Sequence, residues 1–339
     1  MALHQSIQRL LLLGIAPPEI AEPQPCEPPA ALAPLIAQIA PVHERFDRVA
    51  IDFGHRYRSG FWAIYLLSAL AVLCAVVPLA LGWDSEAHAM HPFAGVWAAA
   101  ELGVIVAVSL IYWRGHRRDW QGQWLSARTT AELTAYLPLL APLIDFSAQP
   151  AEQNWYLRAF DPGPQLRDAG EVTALCRQAE PLARSLSAGA WSEARFVQSY
   201  AAWAAYILQR QRRYHKAVAF RHHALLHRVH RINSALFALT ALGASAHLFV
   251  HSLWLTLLTT FFPALGASLH GALAQSESYR LGGASERLAA DLQEHVGRIE
   301  AAGSDAGALR QCVLGAIARI IEEHQDWHML VRPHGLPLA

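Results

Sequence analysis

The stretch GFWAIYLLSALAVLCAVVPLALGW, Gly60 to Trp83, contains no charged residue. A helix rises about 1.5 Å per residue, so this run is long enough to cross a hydrocarbon layer about 30 Å thick. A helix also closes its backbone hydrogen bonds within itself, which an apolar solvent demands. A polar turn, DSEAHAMHP from Asp84 to Pro92, leads to a second apolar run, Phe93 to Trp113, whose one charge is Glu101. Two apolar helices with a short connection make a hairpin.

The pattern recurs downstream. Between Arg231 and Glu277 there is no Asp, Glu, Lys or Arg. The segment is too long for one span and suits two, about Ile232 to Val250 and Leu253 to Leu273, with a turn at about Val250 to Leu253. Pro263 is tolerated there because neighbouring helices can satisfy the freed carbonyl. A buried hairpin in a soluble core is the other reading, but four such runs exceed what a soluble core of this size normally hides.

The averages agree. Of 339 residues, 53% are apolar and 16% charged, against roughly a quarter charged in a soluble domain. Lys plus Arg is 27 and Asp plus Glu is 27, so no global basic field exists and any anion must be bound locally. Lys216 is the only lysine; the remaining cations are arginines, suited to bidentate phosphate contacts. Cys26, Cys74, Cys176 and Cys312 are isolated, so neither a disulfide framework nor a structural zinc site is indicated.

Arginine placement sets the orientation, because cytoplasmic flanks carry the excess of positive side chains. Arg56 and Arg58 precede the first span, and Arg114, Arg117 and Arg118 follow the second. Arg228 and Arg231 precede the third, Arg280 and Arg287 follow the fourth, and neither hairpin turn contains Lys or Arg. Both hairpins are therefore expected to enter and leave from the cytoplasm, with both termini inside. Trp62, Trp83, Trp113, Trp120 and Trp254 fall near the expected interfaces, where indoles settle.

The rest reads as helix. MALHQSIQRLLLLGIA is too weak for a signal peptide and is read as a short amphipathic helix, followed by an extended Pro-rich linker, EIAEPQPCEPPAALAP. Arg128 and Glu132 form an (i, i+4) pair expected on an exposed helix face. Ala205 to Arg231 reads as one long helix running into the membrane. Gln149-Pro150 and Asp161 to Pro164 break the helices between, and the tail carries helices at Ser285 to Ala301 and Ala306 to Leu330. The expected fold is an all-α membrane protein with four transmembrane helices as two hairpins plus a helical cytoplasmic domain. Its parts are 1–42 (helix and linker), 43–137 (first hairpin with flanking helices), 138–204 (cytoplasmic helices), 205–300 (long basic helix and second hairpin) and 301–339 (C-terminal helix). Segments 43–137 and 205–300 share a coarse order: basic helix, apolar hairpin, further helix.

Catalytic signatures are missing. There is no phosphate-cradling GxxxxGK[ST], HExxH or GxSxG, and the DFG at Asp52 to Gly54 lacks its kinase companions. No catalytic residue, metal site or cofactor is assigned. His223, His227 and His230 share a helical face, but no carboxylate or cysteine completes a metal set locally. Glu101 is more informative, because a carboxylate in a span costs about 2.5 kcal/mol or more unless it faces a polar path or partner. With His247 and His270, and His251 nearby, it is a candidate pore or gating residue. The basic stripe Arg210, Arg212, Arg213, Lys216, Arg221 and Arg228 suits anionic lipid headgroups or, with Tyr214 and His215 to stack on bases, the phosphates of a nucleotide. Arg210, Arg213, Lys216 and Arg221 are the candidate ligand contacts.

The order RYRSGF (Arg56 to Phe61), apolar hairpin, then WLSARTTAELTAYL (Trp124 to Leu137) resembles the SLATT family, the SMODS and SLOG-associating transmembrane effectors of bacterial anti-phage defence. The family's W-x3-R-x3-E pattern falls on Trp124, Arg128 and Glu132. YILQRQRRYHKAV, the second hairpin and EEHQDWHML (Glu322 to Leu330) are similar to its second half, so the resemblance covers roughly residues 43 to 332. It implies a multi-pass bacterial inner-membrane effector, a homo-oligomer with a tetramer favoured, forming an ion channel or pore. It further implies gating by a nucleotide or short DNA made by a partner nucleotidyltransferase, as in Hailong-type channels. The alternative is a non-channel scaffold or sensor that recruits a cytoplasmic partner; a membrane-bound enzyme ranks third.

Overall fold

The computed structural model describes residues 2–83, 92–144, 169–250, 252–331 and 335–337. Residues 84–91 of the first hairpin turn, His251 and the breakers at 149–150 and 161–164 lie outside them. All regular structure among the described residues is helical: α1 (Leu3–Leu11), α2 (Ala33–Ala80), α3 (Pro92–Arg117), α4 (Trp120–Leu140), α5 (Ala169–Gly189), α6 (Ala194–His247), α7 (Leu253–Gln275), α8 (Ser278–Ala302) and α9 (Ala306–Val331), with short 3-10 turns. Among the described residues, three segments contain helices long and apolar enough to cross a membrane: Ala30–Ala80, Phe93–Arg117 and Leu253–Ala302.

Two long helices, α2 and α6, organise the fold, and each has two partners from its own half of the chain. α2 packs against α3 and α4, and α6 against α7 and α8. α4 runs back along α2, so that Tyr57 stacks on Trp124 and His43 Nδ1 lies 3.0 Å from the Ala131 carbonyl. α8 runs back along α6 in the same manner: His215 Nδ1 lies 3.3 Å from Ser285 Oγ, and Gly282 abuts His222 and His223. The halves thus share the order long helix, return helix, further helix.

The apolar ends of these helices form a row, α3 on α2, α2 on α7 and α7 on α6. α2 and α7 are antiparallel, since Gly82 faces Leu253 while Gly271 faces Tyr65. α6 and α7 are too, with Gly243 near Thr259 and Gly266 near Asn233. Apolar side chains cover the outside of this layer. Leu102 is 63% exposed, Leu110 57%, Phe237 76% and Leu242 67%, and no residue of the apolar window in α3 is buried. Such a continuous apolar surface on water would be far costlier than the scattered apolar residues of a soluble protein.

Polar chemistry fixes the ends. Asp119 caps α4 through Gly122 N at 3.1 Å, and Asp305 starts α9 by accepting from Gly307 N and Ala308 N. The carbonyls orphaned where α4 ends are claimed from other elements: Leu139 by Tyr200 Oη, Pro142 by Trp191 Nε1, Leu143 by Arg310 and Ile144 by Ser187.

Two interior clusters result. The one farther from the apolar layer joins the start of α2, the end of α4, α5, the start of α6, α8 and α9 around Leu35, Leu137, Tyr200 and Leu292. The nearer joins α2, α4, α6 and α7 around Tyr57, Trp62, Trp124 and Leu273. Trp62 is wholly buried, which corrects the expectation of an interfacial indole: it packs beside Phe61. Trp113 and Trp254 are both 54% exposed.

An arginine-lined cavity as candidate functional site

At the seam between the two clusters lies a cavity of about 240 Å³. α2 contributes Tyr57, Arg58 and Phe61, α4 contributes Trp124, Arg128, Glu132 and Tyr136, and α6 contributes Tyr214, His215, Arg221 and His222. Gln8 of α1, Ser285 of α8 and Glu323 of α9 complete the wall.

Its three arginines differ. Arg128 is paired with Glu132 and lies 3.7 Å from Asp47. Burial works against its charge, but Glu132, Tyr214 and Asp47 outweigh it and its pKa is raised. The Arg128–Glu132 pair therefore turns inward onto the cavity, not onto an exposed face as the spacing alone suggested; Glu132 is 18% exposed. Arg58 sits deep in the protein's mass, with part of its surface on the cavity. Its Nε donates to the Gly54 carbonyl at 3.0 Å and its guanidinium lies 5.1 Å from the Trp124 ring. No carboxylate pairs with it among the described residues. Burial lowers its pKa; Tyr214 acts in the opposite direction, and the Arg128 and Arg221 charges lower it further. Arg221 reaches the same cavity from an exposed position on α6.

The neutral groups are also unusual. Tyr136 is 2% exposed and its hydroxyl has no hydrogen-bond partner among the described residues; neither does the buried Nδ1 of His222. Burial pushes the Tyr136 phenol well above its ordinary value, with Glu132 adding to the shift. Burial, then Arg221 and Arg58, brings His222 down to about 4, and burial brings His215 to about 4. Both imidazoles are uncharged near neutrality. The site brings together two guanidiniums that form no ion pair among the described residues, the Glu323 carboxylate and two polar groups without a partner there, walled by aromatic rings.

Of the four ligand contacts expected from the sequence, only Arg221 enters the cavity. Arg210 is exposed, its guanidinium 5.8 Å from the Tyr206 ring, and Lys216 is exposed. Arg213 makes a 2.6 Å ion pair with Glu22 of the Pro-rich linker. Farther along α6, Arg228 donates to the Leu13 carbonyl at 3.4 Å. The stripe thus holds the protein's own N-terminal segment. His223 lies 3.5 Å from Glu286.

The expected pore residues are dispersed. Glu101 lies on α3 close enough to Cys74 of α2 to act on it electrostatically. His247 is at the outer end of α6, and His270 at the opposite level on α7, beside His230, Glu277 and Tyr279 in a second cavity. Helical rise separates the two histidines by roughly 20 Å along the layer normal.

Arg58 and Tyr136 were not among the expected contacts. The signal available for Arg58 was the family-like RYRSGF, and for Arg128 the W-x3-R-x3-E pattern: Tyr57, Arg58, Phe61, Trp124, Arg128 and Glu132 all line the cavity. Comparison with protein-family models, characterised proteins and solved structures finds no match to this chain.

Proposed function

We propose that the chain is a four-span, homo-oligomeric bacterial inner-membrane effector of anti-phage defence. In this reading a nucleotide or short oligonucleotide, made by a partner nucleotidyltransferase, acts at the arginine cavity to gate an ion path. One observation carries it: α2 and α6 supply Arg58 and Arg221 to the cavity and continue without a break into the apolar layer. A ligand that draws the two arginines together biases the relative position of two spans, which is what gating needs.

The three apolar segments, the apolar window of α3 with none of its residues buried, and the exposed Phe237 and Leu242 on α6 support a bilayer as solvent. The fourth span is the end of α6, a stretch from Ile232 to His247 that carries no Asp, Glu, Lys or Arg. The arginine flanks support a cytoplasmic position for the cavity and both termini. α3 and α6, at the two ends of the row, are left to meet lipid or further copies, and a tetramer is the assembly the family resemblance favours. Glu101, on the outermost helix, is then the carboxylate best placed to face a path between subunits.

The test is ion release from liposomes containing the purified protein and an ion-sensitive dye, with and without nucleotide or short single-stranded DNA. Nucleotide-dependent flux is expected, with a changed conductance in Glu101→Gln. Release of nothing under any condition makes the protein a scaffold or sensor.

A further inference from the structure

We propose that the seam cavity binds a phosphate monoester, with Arg58 as its anchor and Arg221 as its second cation. The inference deepens the gating reading above by naming what the cavity recognises, and it rests on that reading only for its place in a signal.

The first argument is charge. The lining carries Arg58, Arg128 and Arg221 against Glu132 and Glu323. Arg128 is committed to Glu132 and Asp47, and Glu323 acts on Tyr136. Of the groups that act on Arg58, the Tyr214 phenol favours its charge, and the Arg128 and Arg221 charges are both repulsive. An arginine cannot escape by losing its proton at neutral pH. Removing an unpaired cation from water is costly, and the Trp124 face offsets only a part of that. Arg58 and Arg221 form no ion pair among the described residues, so with Glu323 counted the lining keeps a net positive charge and two guanidiniums that an added dianion can bridge. A phosphate monoester near neutrality carries about −1.5 to −2, whereas an internal phosphodiester carries one charge.

The second argument is hydrogen bonding. A phosphate offers oxygens that accept in several directions. Besides the arginine forks, the cavity presents the unpartnered Tyr136 hydroxyl, a donor fixed in its protonated form, and the unpartnered His222 Nδ1. Buried polar groups are almost always partnered, so two orphans on one cavity wall point to an absent partner.

The third argument is size. About 240 Å³ is below the roughly 300–1,000 Å³ of drug-sized sites. It admits a phosphorylated terminus or a small phosphomonoester, with Tyr57 and Trp124 as an aromatic wall, and not a length of oligonucleotide. The cavity therefore reads the phosphorylated end of a signal. Because Phe61 begins the apolar segment, a lipid with a monoester headgroup could present the same group from the bilayer.

The experiment uses full-length protein in nanodiscs of phosphatidylcholine and phosphatidylglycerol, with thermal stability and calorimetric binding as readouts. AMP is expected to bind and stabilise, and adenosine to do neither. Arg58→Gln and Arg221→Gln are expected to weaken AMP about tenfold or more, and Tyr136→Phe, which removes one oxygen from a packed ring, by a few-fold. Arg210→Gln should leave binding unchanged. If phosphatidic acid in the disc stabilises the protein and competes with AMP in an Arg58-dependent manner, the site stands and its natural source is the lipid. AMP affinity unchanged in a folded Arg221→Gln and a folded Arg58→Gln, equal binding of adenosine, or no response to AMP and phosphatidic acid overturns the proposal. AMP binding without any gated flux, or gated flux that survives Arg58→Gln with AMP binding lost, overturns the gating reading alone; nucleotide-gated flux in a protein that binds neither AMP nor phosphatidic acid overturns this one alone.

Discussion

The guanidinium of Arg58 rests 5.1 Å from the Trp124 ring, and the contact exists because residue 54 has no side chain. A Cβ at Gly54 would lie 2.8 Å from Trp124 Nε1 and 2.9 Å from an Arg58 terminal nitrogen. Gly54→Ala is expected to gain helix propensity yet push both groups out of place, an overpacking cost of about 1–3 kcal/mol. Thermal unfolding should show a lower midpoint and calorimetry a weaker response to AMP. Gly297→Ala, at a helical position with open space around it, should be neutral or stabilising by up to about 1 kcal/mol. Equal behaviour of the two variants would remove Gly54 from the account of the site.

A second close approach lies within the apolar layer. A Cβ at Gly271 would come within 2.5 Å of the Tyr65 ring, and this is where α7 crosses α2. Small residues let helix backbones approach where hydrophobic burial supplies no drive. Gly271→Ala should destabilise the α2–α7 contact by about 1–3 kcal/mol, read as a lower unfolding midpoint in detergent. Tyr65→Ala in the same chain should restore part of the loss by vacating the ring. A double variant as unstable as the sum of the two singles would show that the residues do not interact.

Acid should loosen the juxtamembrane core. His4, buried and near Arg58 and His55, is brought down to about 4, as are His215 and His222. Each is neutral in the folded protein, while an unfolded imidazole titrates near 6.5. Between those values the unfolded chain binds more protons, so this contribution is complete above about pH 6.5 and is lost as pH falls through about 4. Unfolding midpoints measured from pH 7 to 4 should decline, with a smaller decline in His222→Gln. An identical decline in that variant would show that His222 is charged in the folded state.

The sequence made the helices legible and hid much of the site. Spans, the helix through Ala205 to Arg231 and the two tail helices follow from uncharged runs and breakers, which are local. The pairing of Arg128 with Glu132 was also local, but which side of α4 it faces depends on α2 and α6 lying across it. Arg58 is four residues from Gly54 and 66 positions from Trp124, and no periodicity reports that they meet. The basic stripe misled for a related reason: charge spacing on α6 does not reveal that Glu22 and the Leu13 carbonyl, roughly 190 or more positions away, occupy Arg213 and Arg228. Trp62 was placed at an interface by its position in a span, but the cluster it belongs to draws on α4, α6 and α7 as well as on α2.

The orientation of the second hairpin can be tested directly, and it bears on the end of α6, the one expected span outside the three apolar segments. Leu248 and Phe249, in the turn between α6 and α7, are 77% and 84% exposed, and the turn at Gly303 and Ser304 joins α8 to α9 on the side expected to be cytoplasmic. Cys26 and Cys312 are partly exposed and are first replaced by serine. In spheroplasts, Leu248→Cys should react with a membrane-impermeant maleimide, and Ser304→Cys should react only after permeabilisation. The physical basis is that a thiol must reach water to ionise and attack, and the two turns reach water on opposite sides if α6 and α7 both cross. Labelling of both positions only after permeabilisation would mean that α6 and α7 turn back inside the cytoplasm as a buried or interfacial hairpin. The bilayer would then be spanned by the first hairpin alone, and α6 could not transmit a change at Arg221 into a transmembrane helix.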